Sequence, residues 1–131
     1  MEIAKQLAIF LDNRPGALAR VCEAFSEKGI NIHALATSDT VDHSVVRMVV
    51  DDTQTAIWLL EENGGMVVED EVLLIDSNNK PGGLAELARA LGKAGINIEY
   101  LYCATAPKSR KGLLVIRVDN ASRALEVLEN N

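Results

Sequence analysis

The sequence is poor in the features that mark a catalyst or a nucleic-acid binder. Among its 131 residues there are 13 Lys and Arg against 19 Asp and Glu, a formal charge of -6. The basic residues gather nowhere beyond the short turn Lys108, Arg110, Lys111. Nucleic-acid and anionic-membrane partners demand clustered cations, so neither is expected. No segment approaches the roughly 20 apolar residues of a membrane span. Met1 to Lys5 mixes acid and base ahead of a run too short for a signal peptide, so the expected location is the cytoplasm.

Cysteine is scarce as well. Cys22 and Cys103 have no CxxC or metal-ligand spacing and read as reduced core thiols. His33, His43, Asp39 and Asp42 lie on the two sides of one hairpin without the tight spacing of a metal set. Ser26, Ser38 and Ser44 lack the context of an activated nucleophile, and neither a nucleophile elbow nor a phosphate loop is present. We therefore expect no catalytic residue, no metal and no cofactor.

What the chain does have is a repeat. The segments 13-NRPGALARVCEAFSEKGINI-32 and 79-NKPGGLAELARALGKAGINI-98 share Asn, Pro-Gly, an apolar stripe and Gly-Ile-Asn-Ile in one register, each matched pair 66 positions apart. Ahead of each lies a strand pattern, 3-IAKQLAIFL-11 with Ile3, Leu7, Ile9 and Leu11 on one face, and 71-EVLLID-76. Leu18, Val21, Cys22 and Phe25 fall at i, i+3, i+4 and i+7, and Leu84, Leu87, Ala88 and Leu91 repeat that stripe, so both segments are amphipathic helices. Gly29 and Gly95 stand where a helix ends on a left-handed residue.

Two hairpins follow, 30–39 with 43–51 and 96–104 with 112–119, and then second helices over 56–63 and 124–131, where the offset grows to 68. The order strand, helix, strand, strand, helix, strand is the split βαβ or ferredoxin-like plan, an antiparallel sheet with helices on one face. We expect an α+β chain of two tandem βαββαβ units, 1–70 and 71–131. The first closes with a fourth strand, 66-MVVED-70; the second ends at Asn131 without one and should bare an edge along 71–76. An open edge invites association, so something is expected to cover it.

The doubled N-x-P-G-x-L motif between a strand and a helix that ends in G-I-N-I resembles the ACT domain, a ligand-sensing module of amino-acid metabolism, and the resemblance covers nearly the whole chain as two units. It implies a non-enzymatic regulatory protein that binds a free amino acid or similar small metabolite where ACT units pair, works as a homodimer or larger homo-oligomer, and signals to a separate metabolic enzyme. Carried onto this chain, the ligand-binding residues would be Asn13, Pro15, Gly16, Ala17, Leu18, Asn31 and Ile32 in the first unit. Their counterparts would be Asn79, Pro81, Gly82, Gly83, Leu84, Asn97 and Ile98 in the second.

Physical chemistry is consistent with that placement, because a helix N-terminus offers unpaired N–H groups to a carboxylate. Glycines admit a close backbone approach, and an Asn side chain both donates and accepts. The same residues also serve as plain turn-formers and caps. Gly83 in place of Ala17, and Glu99 in place of His33, predict two unequal sites. Trp58, opposite the buried stripe of its helix, is a candidate contact for another subunit; Arg47 and Arg117 decorate a sheet surface. Two other uses of the fold stay open at this point: a dimerisation scaffold that binds no ligand, and an acylphosphatase-like enzyme, although the phosphate cradle of the latter is missing.

Overall fold

The structure, a computed structural model, describes all residues 1–131. It contains β1 (Glu2–Asp12), α1 (Ala17–Glu27), β2 (Ile32–Asp39), β3 (His43–Val50), α2 (Thr53–Glu62) and β4 (Val67–Asn78). The remainder is α3 (Gly83–Lys93), β5 (Ile98–Ala104), β6 (Lys111–Val118) and α4 (Ala121–Glu129). This is the expected α+β order, and the chain forms two compact units, Lys5–Asp70 and Met1–Ala4 with Glu71–Asn131. No helix is long and apolar enough to cross a membrane.

In the Lys5–Asp70 unit, β1 pairs antiparallel with β3, and β3 with β2. Leu7 stands opposite Met48 and Ile9 opposite Val46, which puts four apolar side chains under the helices. Phe25 from α1 and Ala56 and Leu60 from α2 close on them, so both helices cover one face of the sheet. Phe25 is 1% exposed, and burial of such a ring stabilises by about 1.5–3 kcal/mol. The unit of Met1–Ala4 and Glu71–Asn131 repeats the scheme. Leu73 opposes Ile116, Ile75 opposes Leu114, and Leu91 and Ala124 supply the helix side. The same cross-strand pairs recur because the two stretches keep the same alternation of side chains.

The expected strands 66–70 and 71–76 are in fact one uninterrupted strand, β4, with neither Gly nor Pro between Val67 and Asn78 to break it. The missing fourth strand is also accounted for. The chain crosses from unit to unit inside β1, between Ala4 and Lys5, and inside β4, between Asp70 and Glu71. Met1–Ala4 therefore belong to the unit expected to begin at residue 71, where β1 neighbours β4 and Ile3 packs against the core of Leu73, Leu91 and Ile116. The even spacing of Ile3, Leu7 and Ile9 along one strand conceals that Ile3 serves one core and Leu7 and Ile9 another.

Both hairpins carry a register shift at the same place, between Ile32 and Ala34 and between Ile98 and Tyr100. His33 and Glu99 are the residues at those bulges, which explains their matching positions and their exposure. Trp58 is 55% exposed, as its place on α2 predicts.

The second helices begin on equivalent caps of different chemistry. The Thr55 amide and hydroxyl donate to Asp52 at 3.1 and 2.7 Å, and the Arg123 amide donates to Asn120 at 3.1 Å. The Thr55 hydroxyl, and then its amide, hold the Asp52 carboxyl below its ordinary value of 3.8. Stability from this carboxylate is therefore complete above that ordinary value and is lost as the pH falls through the lowered one. Between about pH 5 and about pH 2 the wild-type Tm should fall further than that of Asp52→Asn, whose cap does not titrate; equal falls in a thermal melt would contradict the assignment. Leu91→Ala should cost about 2–5 kcal/mol in urea unfolding and Ile3→Ala about 1 kcal/mol. An unchanged midpoint for Ile3→Ala would mean that Met1–Ala4 do not complete the second core.

Candidate functional site

The two Pro-Gly loops are built alike. Gly16 and Gly82 each adopt φ of 87°, a left-handed conformation that carries the chain from the proline into the first helical turn and that side-chain-bearing residues resist. Asn13 anchors its loop to the β2–β3 turn, with its backbone amide donating to the Asp42 carbonyl at 3.0 Å and its Nδ2 to the Thr40 carbonyl at 3.0 Å. Asn79 repeats this on the β5–β6 turn, with its amide on the Arg110 carbonyl at 3.0 Å and Nδ2 on the Ser109 carbonyl at 2.7 Å. Asn13 thus commits one side-chain N–H within its unit and Asn79 commits both, to Ser109 and at 3.4 Å to Pro107, and each Oδ1 remains an acceptor without a partner in the chain. Neither helix start has a side-chain cap; the Ala17 and Gly83 amides donate to the Arg14 and Lys80 carbonyls at 3.4 and 3.3 Å, and the next two N–H groups of each helix stay open.

Within one unit, the residues expected to bind together are not brought together. Asn13 to Leu18 lie at the end of the sheet where β2 turns into β3, whereas Asn31 and Ile32 begin β2 at its other end, roughly 25 Å away along the strand. There the Asn31 amide donates to Asp51 Oδ1 at 2.9 Å and Asp51 returns its amide to the Asn31 carbonyl at 3.1 Å. Asn97 and Asp119 make the same reciprocal pair at 3.3 and 3.3 Å. These Asn residues fasten the entry of one strand to the exit of the next. Ile32 and Ile98, partly buried, pack against the two cores.

A second departure concerns Gly83. A Cβ there would stand 3.3 Å from the Asn78 carbonyl, so the space the missing side chain leaves is taken by its own loop. Leu18 and Leu84, expected in the buried stripes, are 37% and 46% exposed on the first turns. Glu99 accepts from Arg117 Nε at 3.1 Å, and Arg117 Nη1 donates to the Glu71 carbonyl at 2.8 Å. Both are thereby committed to the sheet surface. Pro15 and Pro81 are exposed at the loop tips.

Beside each loop lies a groove. In the Lys5–Asp70 unit it has a volume of about 420 Å³ and runs from β1 across α1 to the end of α2 and Gly64-Gly65. Its base includes Ile9, Phe25 and Leu60, and Asp12, Arg14 and Arg20 supply its charges. The other groove, of about 250 Å³, includes Asn79, Gly83 and Leu84 and carries Asp76, Lys80 and Glu86. Of the first loop's expected residues only Ala17 reaches its groove. Arg14 Nη2 lies 3.5 Å from Asp12 Oδ2, with both side chains more than half exposed, a pair worth about 0–1 kcal/mol. The motif drew attention to the Pro-Gly residues and away from these charges. Yet the aligned repeat already displayed their most informative difference, Arg20 in one helix and Glu86 in the other. No group of His, Cys, Asp and Glu is arranged to hold a metal.

The family model for an ACT domain pair matches residues 1–131. Among solved structures, protein BT0572 from Bacteroides thetaiotaomicron superposes with a TM-score of 0.90 at 34% identity, over 98% of this chain and 88% of that one. The ligand-free regulatory subunit of aspartate kinase from Thermus thermophilus superposes with a TM-score of 0.74 at 21% identity, over 99% of this chain and 97% of that one. The latter likeness carries the fold alone. No curated protein sequence matches significantly. With the repeat, the two βαββ-plus-helix units and the family match all extending over the full length, this chain belongs to the family of ACT domain pairs.

Proposed function

We propose that the protein is a regulatory, non-catalytic binder of a free amino acid, which it senses at its Pro-Gly loops and reports to a separate enzyme of amino-acid metabolism. The observation that carries this reading is the loop built twice. In both units a left-handed glycine opens a helix whose first-turn N–H groups have no side-chain cap, beside an Asn whose Oδ1 is free. Open N–H groups suit a carboxylate and a free amide oxygen suits an ammonium, the two ends of a zwitterion. Membership in the ACT pair family supports a regulatory small-molecule role.

The loops are one wall of such a site, and in this reading the second wall comes from another ACT unit, in a homodimer or larger assembly. A ligand that touches both walls binds the paired state more tightly than the separated one, and only such a difference shifts an equilibrium. The rival use as a ligand-free scaffold draws on one observation, the commitment of side-chain N–H groups of both Asn residues to their own units. The grooves beside Ala17 and Gly83 weigh against it.

The test is a thermal-shift screen against the free amino acids, followed by calorimetry on Asn13→Ala and Asn79→Ala. A ligand at one hundred times its Kd should stabilise the chain by about 2.7 kcal/mol. A selective shift that one variant loses would identify the sensing loop; no shift with any amino acid would move the assignment to the scaffold.

A further inference from the structure

Resting on the amino-acid-binding reading, but with Arg20 and Asp12 in place of the first-turn N–H groups and Asn13 Oδ1 as partners of the two charged ends, we infer that the groove beside α1 takes an amino acid with an apolar side chain, its carboxylate on Arg20, and that the equivalent groove beside α3 refuses it. The two grooves are the same place in the repeat. Residues 9, 10, 11, 12, 14, 17, 20 and 21 line the first, and their counterparts 66 positions later line the second. Their chemistry has nevertheless diverged.

Arg20 of the first groove has no ion pair in a chain of net charge -6. A free guanidinium beside an apolar base is the arrangement that binds a carboxylate in bidentate fashion. Leu11, Val21 and Leu59, half-buried around the base, offer apolar surface to a side chain, and the Asp12 carboxylate, held only loosely by Arg14, is available to an ammonium. Carboxylate, ammonium and side chain each have a complement in one concavity of about 420 Å³. In the second groove Glu86 replaces Arg20 and Asn78 replaces Asp12. A carboxylate entering there meets Glu86 in place of Arg20, with only Lys80 in return, and like charges in one cleft repel. The volume is also smaller, about 250 Å³, because no residue of α4 contributes a wall of the kind that Leu59, Leu60 and Asn63 build in the first.

The experiment is calorimetry on the full chain with L-leucine, L-phenylalanine, L-aspartate and L-lysine, and with the 2-oxo acid of leucine, on wild type, Arg20→Glu and Glu86→Arg. We expect an apolar amino acid to bind at one equivalent per chain and Arg20→Glu to weaken it at least tenfold, with the Tm of the unliganded variant unchanged. Glu86→Arg should leave that affinity intact. Leucine should bind at least tenfold tighter than its oxo acid; equal affinities would remove Asp12 from the site. Apolar binding undiminished in Arg20→Glu would overturn the groove and leave amino-acid sensing in place at another site. Preference for aspartate or lysine would overturn the ligand class. Absence of binding by any amino acid would overturn the sensing reading itself.

Discussion

A βαββα segment that ends on its second helix leaves one sheet edge unpaired, and the build of this protein depends on how that edge is closed. The strand that needs a neighbour is β4, and the residues grouped with it are the first four of the chain, with Ile3 driven into the core of Leu73, Leu91 and Ile116. Small units bury a modest share of their apolar surface, so one additional strand counts for much.

Each unit also carries the same tight connection. The passage from β1 into α1, and from β4 into α3, requires a left-handed glycine and an Asn that straps the loop to a hairpin turn. The strap fixes the direction in which the helix N-terminus points. Its cost to recognition is that at least one N–H of each Asn side chain is unavailable to a ligand. The repeat keeps this framework while the neighbouring surface differs, with Arg20 in one unit and Glu86 in the other. Constraint on the backbone and freedom at the groove are what a module needs to hold one fold while altering what it recognises.

Much of this was legible in the sequence. The 66-residue offset, the stripes ending in Phe25 and Leu91, the positive-φ glycines and the exposure of Trp58 all follow from local periodicity and turn chemistry, which require no knowledge of distant neighbours. The family resemblance rested on the same local motif. The candidate site was less legible, since residues adjacent in a motif need not share a place: Asn31 follows the helix that carries the chain to the far end of the sheet, and there it serves Asp51.

The sequence by itself thus determined the elements, their order and their repetition, because alternation, helical stripes and glycine conformations act over a few residues. Tertiary structure alone decided which core Ile3 enters, that 66–70 and 71–76 are one strand, and that Asp12, Arg14 and Arg20 gather beside the loop instead of Asn31 and Ile32. Those outcomes depend on pairings between segments tens of residues apart, and a side chain's periodicity states which face it occupies without stating what that face will meet.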